Sequence, residues 1–175
     1  YMVFVYMTTY LSTETHIPLS TSLELNTISM GFFMAILMLM GALSDRIGRK
    51  PVLLVGAVML IIISYPLFRI LSHGNPFHDF MAQMAFALAV GAIQGTLPTT
   101  MVELFPTRIR CTALALTYNT GFAIFGGTAP LVCTFLIQQT GNELSPGFYL
   151  IFVSLASGAL FLGMKETFQK KLHDI

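Results

Sequence analysis

Two short groups of charged residues stand out in a chain that is otherwise poor in charge. The first is Gly-Ala-Leu-Ser-Asp-Arg-Ile-Gly-Arg-Lys-Pro at residues 41–51, and the second is Glu-Leu-Phe-Pro-Thr-Arg-Ile-Arg at residues 103–110. In the first group Asp45 can accept hydrogen bonds from guanidinium or backbone N–H groups. Glycines at 41 and 48 allow two helices to approach and the chain to reverse. Because both flanking segments lack charge, residues 41–51 are predicted to form a turn at a membrane surface.

The candidate binding residues inside the apolar segments are neutral. They are Tyr6, Tyr10, Gln94, Tyr118 and Asn119. Such side chains either face a polar cavity and contact a substrate, or hydrogen-bond between helices as packing contacts. Gln83 is predicted to be solvated near the outer membrane surface. No ionisable residue is expected at mid-membrane depth, so proton-carrying groups are not expected in this chain.

A second pattern consists of helix-distorting residues in the fourth and fifth apolar segments. They are Gly91, Gly95, Pro98, Gly126, Gly127 and Pro130. Proline leaves a carbonyl without its helical partner, which suits a helix that bends. Glycine also allows helices to pack closely, so simple packing is an equally weighted alternative.

No pattern supports catalysis, a cofactor or a metal ion. The four histidines are His16, His73, His78 and His173, all in predicted loops or the tail. His73 and His78 together with Asp79 would form a weak surface metal site at most, because zinc sites need about four converging ligands.

Composition identifies the class of protein. The chain is 55% hydrophobic and 10% charged, with a mean hydropathy of +0.76. Soluble domains carry about 25% charged residues, so a polytopic membrane protein is predicted. The net charge is +1, and the nine basic residues are distributed among loops and not along one helix face. This pattern gives no indication of a nucleic-acid partner.

Apolar runs predict six helical spans, at residues 1–13, 26–44, 52–71, 78–102, 112–137 and 147–164, followed by a tail at residues 165–175. The first run is shorter than the ~17 residues that cross a bilayer. We therefore expect a truncated first span and a chain that is the final part of a longer protein.

Basic residues predict the orientation in the membrane. They cluster in the turns after the second and fourth spans and in the tail, with Arg69 as the exception. Because basic loops stay cytoplasmic, we expect a cytoplasmic C-terminus. The loops at residues 14–25, 72–77 and 138–146, which contain Glu14, Glu24 and Glu143, are then external.

The two charged groups resemble loop motifs of the major facilitator superfamily. The resemblance implies an all-α, twelve-helix fold, of which this chain would be the six-helix C-terminal bundle, with the N-terminal half as its missing partner. It implies a gating role for the residues of the two motifs: Gly41, Asp45, Arg46, Gly48, Arg49, Lys50, Glu103, Arg108 and Arg110. It also implies that the fourth and fifth spans bend.

Phe-Pro-Thr-Arg-Ile-Arg, together with Met-Lys-Glu-Thr at residues 164–167, is similar to the metabolite:proton symporter branch. The resemblance implies a proton-coupled transporter of proline, betaine or a small organic acid in the plasma (inner) membrane, and no enzyme activity. Two alternatives remain at this stage: a sugar or drug transporter of the same superfamily, and a small membrane scaffold that transports nothing. An upstream reading frame with six more spans would exclude the scaffold.

Overall fold

The structure is a computed structural model that describes residues 1–13, 15, 18–72, 74–164 and 166. The predicted tail therefore lies outside the described residues except for Glu166. Three of the four histidines, at positions 16, 73 and 173, and Glu14 also lie outside them.

The described residues form helices and no strand, which confirms the all-α class. A π-helical segment, Met2–Tyr6, leads into α1 (Met7–Thr13). Then follow α2 (Leu19–Ile47), α3 (Arg49–Leu71), α4 (Pro76–Leu104), α5 (Arg110–Gly121), a second π-helical segment (Phe122–Gly126), α6 (Gly127–Thr140) and α7 (Ser145–Gly163). Helices α5 and α6 are continuous through the π segment, so five helices in the described part are long and apolar enough to cross a membrane.

Helix α2 is longer at both ends than the sequence predicted. It begins at Leu19 inside the predicted loop 14–25, because Pro18 stands at its N-terminal boundary and proline suits that place. It also continues through Asp45 and Arg46 to Ile47. The predicted turn at residues 41–51 is therefore reduced to one residue, Gly48, with φ 113°. Only glycine adopts that φ without strain.

Small residues let α4 pack closely against two neighbours. On one side a side chain added at Gly95 would lie 2.7 Å from the Leu37 carbonyl oxygen and 3.2 Å from Gly41 N on α2. On the other side one added at Gly56 of α3 would lie 3.1 Å from the Ala89 carbonyl oxygen. Backbone contact of this kind is how small residues join helices in membranes.

Aromatic rings fill the centre between α1, α3 and α4. The ring centroids of Tyr10 and Phe68 are 5.5 Å apart, and those of Phe68 and Phe86 are 5.7 Å apart, both edge-on. All three residues are fully buried. Edge-on aromatic pairs at these distances stabilise the bundle beyond the contribution of their buried area.

The span formed by α5 and α6 is the least covered part of the bundle. No residue of α5 is buried, and in α6 only Ala129 and Cys133 are. Phe125 is 72% exposed and Leu131 is 71% exposed. This face is therefore available to lipid or to another helical bundle.

Candidate functional site

Arg49 joins the two sequence motifs at one end of the bundle. Its Nη2 donates to Glu103 Oε1 at 2.9 Å, and its Nε lies 3.3 Å from the same oxygen. Its Nη1 donates to Ser44 Oγ at 3.0 Å and also to Asp45 Oδ1. The cluster links the end of α2, the start of α3 and the end of α4.

A carboxylate from beyond α7 closes the same cluster. Glu166 Oε1 accepts from the Arg49 backbone N at 3.1 Å, and its Oε2 accepts from the Lys50 backbone N at 3.1 Å. These are free N–H groups in the first turn of α3, where the helix dipole favours an anion. Lys50 Nζ in turn donates to the Leu162 carbonyl at 2.7 Å. Four helix ends are thus held together by five charged side chains.

The two acidic partners of Arg49 differ in burial. Arg49 is 7% exposed, and the side chain of Glu103 is 19% exposed while that of Asp45 is 62% exposed. An ion pair with a solvent-exposed partner contributes at most ~1 kcal/mol, whereas removing one partner of a buried pair costs roughly 3–5 kcal/mol. Glu103 is therefore the stronger partner.

The remaining motif residues do not join this cluster. Arg46 and Arg108 are exposed, and Arg110 donates through Nε to the Phe105 carbonyl at 3.1 Å within its own loop. Gly41 lies in the α2–α4 contact, where a side chain would be 3.4 Å from the Gly95 carbonyl oxygen.

An open cleft with a cavity volume of about 460 Å³ lies between the N-terminal π segment, α4, α5 and α7. Ligand pockets for small molecules begin at about 300 Å³. Its walls combine aromatic rings with a few polar groups: Tyr1, Met2, Gln94, Leu97, Met101, Thr117, Tyr118, Gly121, Phe122, Phe125, Gly126, Ala129, Tyr149, Leu150, Val153 and Ser157.

The aromatic side of the cleft is made by Tyr118 of α5, Phe122 of the second π segment and Tyr1. The ring centroids of Tyr118 and Phe122 are 4.4 Å apart, and Tyr1 meets Phe122 edge-on at 6.0 Å. The Tyr1 ring packs over Gly126, where an added side chain would come within 2.6 Å of it. Aromatic faces attract cations, and the half-buried amide of Gln94 on the opposite wall can donate to an anion.

Three predicted cavity residues lie elsewhere. Tyr10 is fully buried, and its hydroxyl donates to the Glu143 carbonyl at 3.1 Å. Tyr6 lines a separate groove with Pro130 and Gln138. Asn119 is exposed, and it lines a shallow groove along α5 alone. Only Gln94 and Tyr118 of the predicted set share the cleft.

The structure contradicts the expectation for Gln83 and gives a packing role to the glycines of α4. Gln83 was expected to be solvated, which is wrong, because it is fully buried. For the glycine pattern in α4, the contact of Gly91 with Ile36 and of Gly95 with α2 accounts for both residues by close packing. In the fifth span the π segment ends at Gly126, just before Gly127 and Pro130, and such segments are frequent at functional sites.

Sequence reasoning missed Glu166, Ser44, Tyr1 and Tyr149 as site residues. Glu166 carried a signal, because it follows the last span directly and α3 begins with unpaired backbone N–H groups. Tyr1 and Tyr149 carried none, since their contribution depends on how distant helices pack.

Helices of this length and hydropathy, packed through small residues and joined by charged side chains at one end, define an integral, multi-pass membrane protein. The family model described as "Major Facilitator Superfamily" matches residues 1–173. The chain therefore belongs to the major facilitator superfamily.

Similar proteins carry transporter names. The chain is 35% identical over 132 residues to the ectoine/proline transporter ProP of Corynebacterium glutamicum, covering 75% of this chain and 26% of the relative. It is 32% identical over 172 residues to the glycine betaine/proline/ectoine/pipecolic acid transporter OusA of Dickeya dadantii, and the match covers 98% of this chain and 34% of the relative. A putative proline/betaine transporter of Staphylococcus aureus is 32% identical over 155 residues, and the match covers 89% of this chain and 33% of the relative. The chain thus spans about a third or less of the length of these relatives, and no solved structure matches it.

Proposed function

We propose that this chain forms one of the two helical bundles of a proton-coupled secondary transporter for small zwitterions such as proline or betaine. The observation that carries the proposal is the aromatic cleft with Gln94 on its wall, in a chain whose relatives are named proline, betaine and ectoine transporters. Family membership excludes neither sugars nor drugs, but the chemistry of the cleft favours zwitterions.

The cleft suits the two ends of a zwitterion. The stacked rings of Tyr118 and Phe122 can present an outer ring face to an ammonium or quaternary ammonium group, an interaction that contributes about 2 kcal/mol or more when the site is desolvated. The Gln94 amide can donate to the carboxylate. Among the described lining residues none is basic, which favours zwitterions over the di- and tricarboxylic acids that need guanidinium or ammonium partners.

The Arg49 cluster supplies a gate at the cytoplasmic end. Its bonds from Arg49 and Lys50 to Glu103 and Glu166 hold helix ends together when the path is closed on that side. Flexing of these helices relative to one another would separate their ends, and the bonds would then break and re-form in each cycle. Asp45 contributes to the closed state as the exposed partner.

Orientation follows from the same cluster. The basic turn at Arg46, Arg49 and Lys50 and the loop with Arg108 are at one end of the bundle, as strict alternation of the spans requires. The positive-inside rule assigns this end to the cytoplasm of the plasma (inner) membrane. The C-terminus then lies inside the cell, and a second six-helix bundle completes the path.

An uptake screen tests the substrate class. Cells that lack their own proline and betaine uptake would express the chain together with its second bundle and receive labelled proline, betaine, citrate, shikimate or 2-oxoglutarate. We expect accumulation of proline or betaine that is lost when a protonophore collapses the proton gradient. Accumulation of only the organic acids, or uptake that is unchanged by the protonophore, would contradict the proposal.

A further inference from the structure

The outer end of α4 contains a buried acid without a partner. Asp79 lies in the first turn of that helix and is fully buried, as is Gln83 one turn further on. Among the described residues, both carboxylate oxygens of Asp79 and both polar atoms of the Gln83 amide lack a hydrogen-bond partner. Buried polar groups are almost always bonded, so a carboxyl group in this state requires an explanation.

Asp79 lies on the side of α4 that packs against α3. Phe86 is two turns further along α4 on nearly the same side of the helix, and its ring centroid is 5.7 Å from that of Phe68 on α3. Three residues beyond Phe86, the Ala89 carbonyl oxygen lies 3.1 Å from a side chain added at Gly56 of α3. The Asp79 side chain therefore belongs to the interface between α3 and α4.

The same contacts give the depth of Asp79. Helices α3 and α4 are joined by a short turn, and they run antiparallel. Starting from the contact of Gly56 with Ala89, an equal rise along both helices places Asp79 level with the last turns of α3. Those turns contain Phe68 and Leu71, both fully buried. The side of α3 that the carboxyl group meets is therefore apolar.

No cationic side chain neutralises Asp79 in the described part of the chain. Both ion pairs there belong to Arg49 at the opposite end of the bundle. The charged and titratable groups on the outer ends of the neighbouring helices are exposed: Glu24 on α2, Tyr65 and Arg69 on α3, His78 on α4 and Glu143 before α7.

The tyrosines of the other two neighbouring helices are engaged elsewhere. The Tyr10 hydroxyl of α1 donates to the Glu143 carbonyl, and Tyr149 of α7 lines the cleft. The helix dipole at the start of α4 favours an anion, but it does not supply the full counter-charge that a buried carboxylate needs. An ionised Asp79 is therefore incompatible with this packing.

We propose that Asp79 is a proton-binding site, occupied while the outer ends of α3 and α4 are packed together and vacated when they part. The protonated carboxyl group is neutral, so an apolar interface accommodates it. Its O–H can donate to the Gln83 amide oxygen one turn away. When the helix ends part, the proton passes from the carboxyl oxygen to entering water, which then solvates the carboxylate. A metal ion would instead need several converging oxygen ligands, and no described contact brings a second carboxylate to Asp79.

Helix α4 itself connects this site to the cleft. Leu97 lies five turns beyond Asp79 on the same side of the helix, and it lines the cleft together with Gln94. A tilt of α4 that releases the proton at its outer end would therefore also move the cleft wall. This role in coupling rests on the proposed transport function, whereas the protonation of Asp79 does not. From the sequence, no proton-carrying group was expected in this chain, because Asp79 follows the predicted loop at residues 72–77 so closely.

Infrared spectroscopy of the full-length protein in lipid nanodiscs tests the site without transport. A protonated carboxyl group gives a carbonyl stretching band at neutral pH, whereas a solvated aspartate, which titrates at about pH 3.9, gives none. We expect such a band to be lost in Asp79→Asn and retained in Asp79→Glu. Glu24→Gln, which removes an exposed carboxylate of the outer end, is the control and should leave the band unchanged. Identical spectra of the unaltered protein and Asp79→Asn in this region would overturn the proposal, since Asp79 would then be ionised and hydrated.

Uptake by proteoliposomes tests the role in coupling. Asp79→Asn should lose accumulation of labelled betaine driven by a proton gradient but retain exchange of labelled for unlabelled betaine, because an amide is neutral and carries no proton. Asp79→Glu should restore accumulation, and Glu24→Gln should leave both activities unchanged. Full proton-driven accumulation by Asp79→Asn would overturn the coupling role. An Asp79-dependent infrared band in a protein without proton-driven uptake would contradict the proposed function and leave the proton site standing.

Discussion

At the scale of single residues, Arg49 determines how the ends of α2, α3 and α4 are held together. It is nearly buried, and it bonds side chains from two other helix ends while its backbone N–H bonds Glu166. Gly48 makes this possible, because its φ of 113° lets α3 begin immediately after α2. The guanidinium is thereby placed beside both carboxylates.

The unequal burial of the two acids predicts unequal effects of removing them. Glu103→Gln should lower the free energy of unfolding by up to ~3 kcal/mol, toward the cost of breaking a buried pair. Asp45→Asn should lower it by at most ~1 kcal/mol. Thermal unfolding of both variants in one detergent measures the difference, and equal losses would show that burial does not rank these partners.

The same variants test the gate. If the bonds break in each transport cycle, Asp45→Asn should change the transport rate although it changes stability little. The measurement is the initial rate of uptake in proteoliposomes at matched protein content. Arg46→Gln, which changes an exposed charge outside the cluster, serves as the control. Wild-type rates in Asp45→Asn would contradict a gating role for this carboxylate.

Gln94 allows a direct test of the cleft. Gln94→Ala should raise KM for betaine about tenfold or lower kcat, because it removes a charged hydrogen bond that contributes roughly 1.5–3 kcal/mol. Gln139→Ala, an exposed amide in α6, is the matched control and should leave both constants unchanged. A lower unfolding temperature with unchanged kinetics would instead identify Gln94 as an interhelical packing residue.

Residue types predicted part of this site and could not predict the rest. The two motifs identified Asp45, Arg49 and Glu103 as charged loop residues, but not that Arg49 pairs with Glu103, since that pairing depends on how α3 packs against α4. Gln94 and Tyr118 were predicted from polarity inside apolar segments. Asn119 has the same polarity, and only the rotation of α5 separates it from the cleft.

At the scale of helices, hydropathy predicts where the spans lie but not where they end. The long apolar runs each became a helix, because a bilayer requires every backbone group to be bonded internally. The ends moved outward into polar sequence, as in α2, where serine and threonine residues after Pro18 continue the helix. Composition therefore underestimated the length of α2 and predicted a loop where its first turns lie.

Close packing of α4 on α2 gives a prediction at this scale. Gly95→Ala should destabilise the bundle by about 1–3 kcal/mol, because its Cβ would approach backbone atoms that cannot move aside. Gly31→Ala, in α2, has no neighbour within 4 Å of the added atom and should be neutral or slightly stabilising. Thermal unfolding of the pair measures this, and equal effects would contradict the packing role of Gly95.

At the scale of the whole molecule, one side of the bundle has no protein partner among the described residues. Helix α5 has no buried residue, and large apolar side chains of α2 such as Met38, at 77% exposed, point outward. The chain also spans about a third or less of the length of its relatives. The sequence motifs predicted a six-helix bundle, but the extent of this open face follows only from the packed structure.

The open face predicts that the chain depends on a second bundle. Exposed polar groups such as Asn119 on α5 cost on the order of 2–7 kcal/mol when buried in lipid without partners. Separately inserted helices can still pack laterally afterwards. The second bundle should therefore raise the unfolding temperature of this chain when the two are co-expressed.

Uptake of labelled betaine by proteoliposomes is the most direct test of the claim that this chain forms one bundle of a two-bundle transporter. It would be measured with this chain alone and with this chain co-purified with a second six-helix bundle. We predict saturable, proton-driven uptake only from the pair. Saturable, proton-driven uptake by the purified 175-residue chain alone would contradict the account and indicate a homodimer that builds both sides of the path from one sequence.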